Sequence, residues 1–177
     1  MVKLDPESIE ARNLLRRQIP GYGNYKKQGE RKSTETAVRE YLESRLSECS
    51  DDIKKIQEAA LMSQMITTWS DLDRLVASFS DLRFLIKNTN YGISTFFDSN
   101  IIKEFDISYL YTLESTILDI ITRLDEKINS FNDAIESGML SDSSRLTNEI
   151  LDDLTAVRDA WEERQKLLSD FQKLGLV

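Results

Sequence analysis

Residues 109–135, YLYTLESTILDIITRLDEKINSFNDAI, decide the fold. The large apolar side chains Tyr109, Leu113, Ile117, Ile120, Leu124, Ile128, Phe131 and Ile135 are spaced 4, 4, 3, 4, 4, 3 and 4 residues apart. That spacing keeps one face of an α-helix apolar, while Glu114, Asp119, Arg123, Asp125, Glu126, Lys127 and Asp133 occupy positions between. From Leu113 the pattern repeats at about 3.67 residues per turn, so helices packed on this seam run nearly straight or with slight right-handed coiling. A seam of this length needs other helices to cover it.

The flanking sequence supplies them. On the C-terminal side, Gly138 ends the seam helix, and Gly138-Met139-Leu140-Ser141-Asp142 predicts a tight turn. Leu146, Ile150, Leu154, Val157, Trp161, Leu168 and Phe171 then mark an antiparallel neighbour over 142–174. On the N-terminal side, Val38, Leu42, Leu46, Cys49, Ile53, Ile56 and Ala60 step by 4, 4, 3, 4, 3 and 4 through Ser50-Asp51-Asp52 without interruption, which predicts one helix over 31–67. Continued to Asn90 it would be roughly 90 Å long, too long for a domain of this size. A break is therefore expected at Thr67-Thr68-Trp69-Ser70-Asp71, followed by a helix over 70–90 carrying Leu72, Leu75, Val76, Phe79, Leu82, Leu85 and Ile86. Ile93 to Phe105, with Phe96, Phe97, Ile101 and Ile102, predicts a partly helical connector, and Asp106 is placed to cap the seam helix over 107–137.

The expected fold is all-α: an elongated antiparallel bundle of four main helices with coiled-coil-like packing, preceded by a short basic helix and a Gly/Tyr-rich loop. The expected division is 1–29 for the basic helix and arm, and 30–177 for the bundle. Only 6 glycines and 2 prolines among 177 residues agree with few turns and long helices.

The N-terminal segment is chemically distinct. Asp5-Pro6-Glu7 is a helix start, and a short helix to about Gln18 has Ala11, Leu14, Leu15 and Ile19 on one edge and Arg12, Arg16 and Arg17 on another. The loop Pro20-Gly21-Tyr22-Gly23-Asn24-Tyr25-Lys26-Lys27-Gln28-Gly29 follows. Residues 1–45 hold ten Lys/Arg against seven Asp/Glu, whereas 46–177 hold thirteen against twenty-four, so a basic leader precedes an acidic remainder. The candidate partner-binding residues are Arg12, Arg16, Arg17, Tyr22, Tyr25, Lys26, Lys27, Arg31 and Lys32. Their expected target is an acidic protein, an anionic membrane surface or a phosphate group at the start of the long helix. The competing expectation is that Tyr22 and Tyr25 pack on the bundle and the cations pair with its own acidic faces. The run Pro20 to Lys26 resembles the Pro-Gly-Tyr-x-Gly-Tyr-Lys opening of a group of uncharacterised prokaryotic helical proteins, with Asn24 in place of glycine. The resemblance implies a helical fold and brings no known activity, so no functional residue is carried over from it.

Catalytic chemistry finds few footholds. There is no histidine, which removes Glu-x-x-His di-iron pairs and Ser-His-Asp or Cys-His sites, and zinc would need cysteines beyond Cys49. Adjacent acidic pairs such as Asp51-Asp52 and Asp152-Asp153 point about 100° apart on a helix. Neither phosphate-loop pattern is satisfied by Gly21-Tyr22-Gly23. No catalytic residue, metal or cofactor is expected. Cys49 lies on an apolar stripe and is expected to be buried. The Met62-Met65-Ile66-Trp69 group is expected in the core. An alternative function is a bundle that holds a small apolar ligand near Phe96, Phe97, Met62 and Trp69. The charge balance argues against general nucleic-acid binding, a cytoplasmic, non-membrane-spanning protein is expected, and self-association is left open.

Overall fold

The computed structural model describes residues 6–62, 66–92, 94–98, 104–138 and 143–169, giving the backbone alone at 66, 67, 104 and 105. Among them are five helices and no strand: α1 (Pro6–Gln18), α2 (Gln28–Met62), α3 (Ile66–Lys87), α4 (Glu104–Glu136) and α5 (Ser143–Ser169). The all-helical reading of the sequence holds. No helix in the described residues is long and apolar enough to cross a membrane. Expectations for the Asp5 cap, Met65, Ile101, Ile102, Phe105, the 139–142 turn and Phe171 fall outside the described residues or side chains.

The chain forms two compact units. Unit 1 comprises Met1–Leu42, Lys87–Leu118 and Asp159–Val177, and unit 2 comprises Glu43–Ile86 and Asp119–Arg158. Helices α2, α4 and α5 each give one segment to each unit, and the boundary expected at 29/30 falls inside unit 1.

Unit 2 is built as the periodicity dictates. Leu46, Cys49, Ile53 and Ile56 of α2, Leu72, Leu75, Phe79 and Leu82 of α3, Leu124, Ile128 and Phe131 of α4, and Ile150 and Val157 of α5 are all buried. The 50–52 run stays inside α2 because the stripe continues through it. The Cys49 thiol donates to Asp125 Oδ1 at 3.2 Å, and burial, then that bond, push its pKa up, so it stays protonated. Across the surface, Glu43 pairs with Arg83, Arg45 with Asp125, and Asp153 with both Arg123 and Lys127.

Three boundaries are corrected. Thr67 to Asp71 do not break the chain; they lie in the first turns of α3, and α2 ends earlier, at Met62. The β-branched threonines are tolerated because Thr68 is buried in step with Leu72 and Leu75. Asp106 lies inside α4, buried, so it is not the helix cap. Gly29 belongs to the first turn of α2, not to the loop. Gly138 does end α4 as expected: its φ is +68°, and its amide donates to the Ile135 carbonyl at 3.1 Å.

Candidate functional site

The candidate site lies in unit 1 and is organised by a buried carboxylate. Glu114 sits on α4 one turn after Leu110 and one turn before Ile117 and Leu118, and all three are buried. The apolar face of α4 is wider at this end than the seam alone implies: Leu110, Tyr111 and Leu118 are inside, while Tyr109 is only half-buried and its hydroxyl donates to Glu163. Glu114 thus occupies a core position, with its side chain fully enclosed.

Three donors converge on it. The Tyr22 hydroxyl donates to Oε2 at 2.6 Å, the Tyr25 hydroxyl to Oε1 at 2.7 Å, and Arg164 Nε to Oε1 at 2.8 Å. Arg164 is also fully enclosed; it follows Trp161 on the buried stripe of α5 and precedes Leu168. Its other nitrogens reach Tyr91 Oη at 2.7 Å and Tyr25 Oη at 3.2 Å. The guanidinium carbon lies 4.6 Å from the centre of the Trp161 ring. The Tyr91 hydroxyl donates to Glu35 Oε1 at 2.7 Å, and Glu35 accepts two bonds from Arg39, at 2.6 and 3.1 Å. Arg39 closes the chain on the carbonyls of Lys87 and Thr89. The result is one continuous network: Glu114, Tyr25, Arg164, Tyr91, Glu35, Arg39.

The electrostatics follow from enclosure. Burial, and then the Glu114 charge, push the Tyr22 and Tyr25 pKa values well above 10.0; Arg164 opposes the rise at Tyr25. Burial raises Tyr91 to about 12, with Arg164 opposing and Glu35 reinforcing. Burial also raises Tyr111 to about 12, opposed by a backbone hydrogen bond from Tyr25 and by the charges of Arg12 and Arg16. For Arg164, burial would lower the pKa, but Tyr91, Glu114, Tyr25 and Glu35 outweigh it, and the guanidinium stays charged. These phenols are neutral donors at neutral pH, and Arg164 is a permanent cation between two carboxylates.

The loop that supplies Tyr22 and Tyr25 is shaped for this docking. Gly21 has φ +78°, a left-handed conformation that favours glycine. A Cβ on Gly23 would stand 2.6 Å from Thr34 Oγ1 and 3.0 Å from Glu30 Oε2, so the loop reaches the first turns of α2 only because that side chain is missing. The Tyr25 ring contacts Tyr22, Phe96 and Tyr111 at centroid distances of 5.8–6.0 Å. Arg31, on the first turns of α2, donates to the carbonyls of Tyr25 at 2.8 Å and Phe96 at 2.7 Å and is buried; burial lowers its pKa.

The nine residues singled out from the sequence therefore separate into two groups. Tyr22, Tyr25 and Arg31 are buried inside the fold, and their polar atoms bond to Glu114, Arg164 and the carbonyls of Tyr25 and Phe96. Arg16, Arg17, Lys26, Lys27 and Lys32 are exposed, and Arg12 is half-buried with its Nε enclosed and unbonded. Of these, Lys27 pairs with Glu30 at 2.8 Å and Lys32 with Asp98 at 3.6 Å. Arg12 and Arg16 lie close enough to Tyr111 to act on its pKa, and the Tyr111 hydroxyl donates to Asn24 Oδ1, which also accepts from the Lys26 amide.

The residues proposed to line an apolar ligand site are dispersed. Phe96 is buried against Tyr25 and Phe97 in unit 1, whereas Met62 and Trp69 belong to unit 2 and are 87% and 41% exposed. The expectation that Met62 and Trp69 pack in the core is overturned. Sequence reasoning missed Glu114, Arg164, Glu35 and Tyr91. A signal existed: Val157, Trp161 and Leu168 leave a seven-residue gap on the α5 stripe, and Arg164 stands in it.

The protein-family models, the curated proteins and the solved structures contain no match to this chain. Tyr25, Glu114 and Arg164 are at most 1% exposed, and both Glu114 oxygens and all three Arg164 nitrogens have partners within the fold, which makes the cluster a clamp for the N-terminal arm.

Proposed function

We propose that the chain is a non-enzymatic interaction protein, an antiparallel helical bundle whose N-terminal arm presents cations to an acidic protein partner. The contact residues are Arg12, Arg16, Arg17, Lys26, Lys27 and Lys32, while Tyr22, Tyr25 and Arg31 hold the arm in position. The observation that carries this reading is the clamp itself. An arm fixed by two buried tyrosine–carboxylate bonds displays its cations without losing chain entropy when a partner arrives. Arg12 and Arg16 both act on the buried Tyr111 hydroxyl, which ties two of these cations to the docked arm.

A protein target is favoured over a bilayer because the apolar edge of α1 is already in use. Leu15 and Ile19 are 0% and 1% exposed, Ala11 and Leu14 are half-buried, and only Ile9 is open. Titration with a Glu/Asp-rich peptide should show binding that weakens steeply with NaCl. Replacing Arg16, Arg17, Lys26 and Lys27 together with alanine should reduce affinity by about two orders of magnitude, on the scale of rim charges acting in concert. Binding that is indifferent to those four substitutions would end the reading. Retention on anionic vesicles that the same substitutions abolish would move the target from protein to membrane.

A further inference from the structure

The other unit carries a surface with opposite chemistry. Unit 2 holds 17 Asp/Glu against 9 Lys/Arg, net −8, whereas unit 1 holds 14 of each, so the whole acidity of the chain resides in unit 2. At the tip where α2 ends and α3 begins, large apolar side chains face outward: Leu61 is 62% exposed, Met62 87% and Trp69 41%. Three residues join the two helices, which limits their ends to about 13 Å of separation.

This exposure is not a packing remainder, because the helices put the smaller residue inside on both sides. Ala60 is fully buried beside exposed Leu61 and Met62, and Thr68 is 2% exposed beside Trp69. The register of α3 is fixed by Leu72, Leu75, Phe79, Leu82 and Ile86, all at 0–1% exposure, so Trp69 cannot turn inward without expelling that stripe. Each outward anchor has an exposed carboxylate one helical turn away on the same face: Glu58 precedes Met62 by four residues, and Asp73 follows Trp69 by four.

We infer that this tip is a docking surface for a cationic amphipathic helix of a partner protein, with Met62, Leu61 and Trp69 receiving its apolar residues and Glu58 and Asp73 its lysines or arginines. A flexible thioether adapts to apolar side chains of different shape. The charge selects the occupant. A second copy would bring another unit of net −8 to the same tip, and an anionic bilayer would repel it, whereas a basic helix is attracted.

Trp69 supplies the readout, since Trp161, the other tryptophan, is fully buried. The probe is a synthetic Leu/Lys peptide of about 18 residues with leucines on one helical face. Its addition to the full chain should shift Trp69 emission to the blue and protect it from acrylamide. Trp69→Phe should remove that signal, and a change that survives it overturns the proposal. The Leu61→Ser/Met62→Ser variant alters only exposed side chains; it should keep its circular dichroism and bind about tenfold more weakly. Glu58→Gln/Asp73→Asn should bind several-fold more weakly with a flatter salt dependence. A peptide of the same composition with leucines scattered around the helix should lose about tenfold in affinity. Equal binding of the scattered peptide, or of the Leu61→Ser/Met62→Ser variant, overturns the proposal. So does a doubled mass in sedimentation equilibrium that this variant abolishes, or a Trp69 shift on anionic vesicles.

Discussion

The Glu114–Arg164 pair shows what enclosure does to a charge. Taking either ion out of water is unfavourable, and only the full set of partners offsets that cost. Arg164→Ala leaves the buried Glu114 carboxylate without its counter-ion and also removes the guanidinium stacked on Trp161, so it should destabilise unit 1 by about 3–5 kcal/mol in urea unfolding. Replacing both ions together with their phenol donors, as Glu114→Leu/Arg164→Met/Tyr22→Phe/Tyr25→Phe, should recover part of that loss, because neither an unpaired charge nor an orphaned hydroxyl remains. Tyr25→Phe removes one donor to the carboxylate and should cost about 1.5–3 kcal/mol. The tyrosines also set an alkaline limit. Their folded pKa values, about 12 for Tyr91 and Tyr111 and well above the ordinary 10.0 for Tyr22 and Tyr25, exceed those of the unfolded chain. Between those limits the folded state binds more protons than the unfolded one. The contribution of all four is therefore present below pH 10.0, and that of Tyr91 and Tyr111 is lost as pH rises through about 12. Denaturant midpoints measured at increasing pH should fall across that window, and more shallowly in Tyr22→Phe/Tyr91→Phe.

At the scale of the element, one glycine separates a shaped loop from an ordinary helix. Gly23→Ala puts a methyl group 2.6 Å from Thr34 Oγ1, and the Thr34 side chain, which bonds the Glu30 carbonyl, or the backbone must shift. A loss of about 1–3 kcal/mol is expected, read as a lower thermal midpoint. Gly29→Ala, in the first turn of α2 with nothing within 4 Å of the added carbon, should stabilise by about 0.5–1 kcal/mol. The helices were legible from spacing alone: the stripe from Val38 to Ala60 is buried at every step, as is the seam from Leu113 to Ile135. The break between α2 and α3 was misplaced. Thr67 to Asp71 have the local preference of a turn, but Thr68 is in register with the α3 core, and packing overrode propensity.

For the whole molecule, the arm is part of the core of unit 1. Leu15, Ile19, Tyr22 and Tyr25 are buried there together. A chain beginning at Glu30 loses four large buried side chains, on the order of 6–10 kcal/mol of apolar burial, comparable with the stability of an entire domain. Such a chain should show fast amide exchange throughout the unit 1 segments of α4 and α5, while full-length protein should not. The same fact explains why three of the nine candidate contact residues are unavailable: a basic, Gly- and Tyr-rich stretch has the composition of a solvated arm, and nothing local to it reveals a carboxylate waiting about 90 residues away on α4.

By itself, the sequence determined that this chain is helical, where most of its helices lie and which stripes face inward, because these depend on periodicities of three and four residues that any window of the chain displays. It also determined the charge asymmetry. The tertiary structure alone decided the rest. Glu35, Glu114 and Arg164 sit at core positions where only apolar residues were expected, and their burial is tolerable only because three separate helices and two loops bring mutual partners together. Conversely, Met62 and Trp69 are apolar yet exposed, because the register that buries Ala60 and Thr68 leaves them outside.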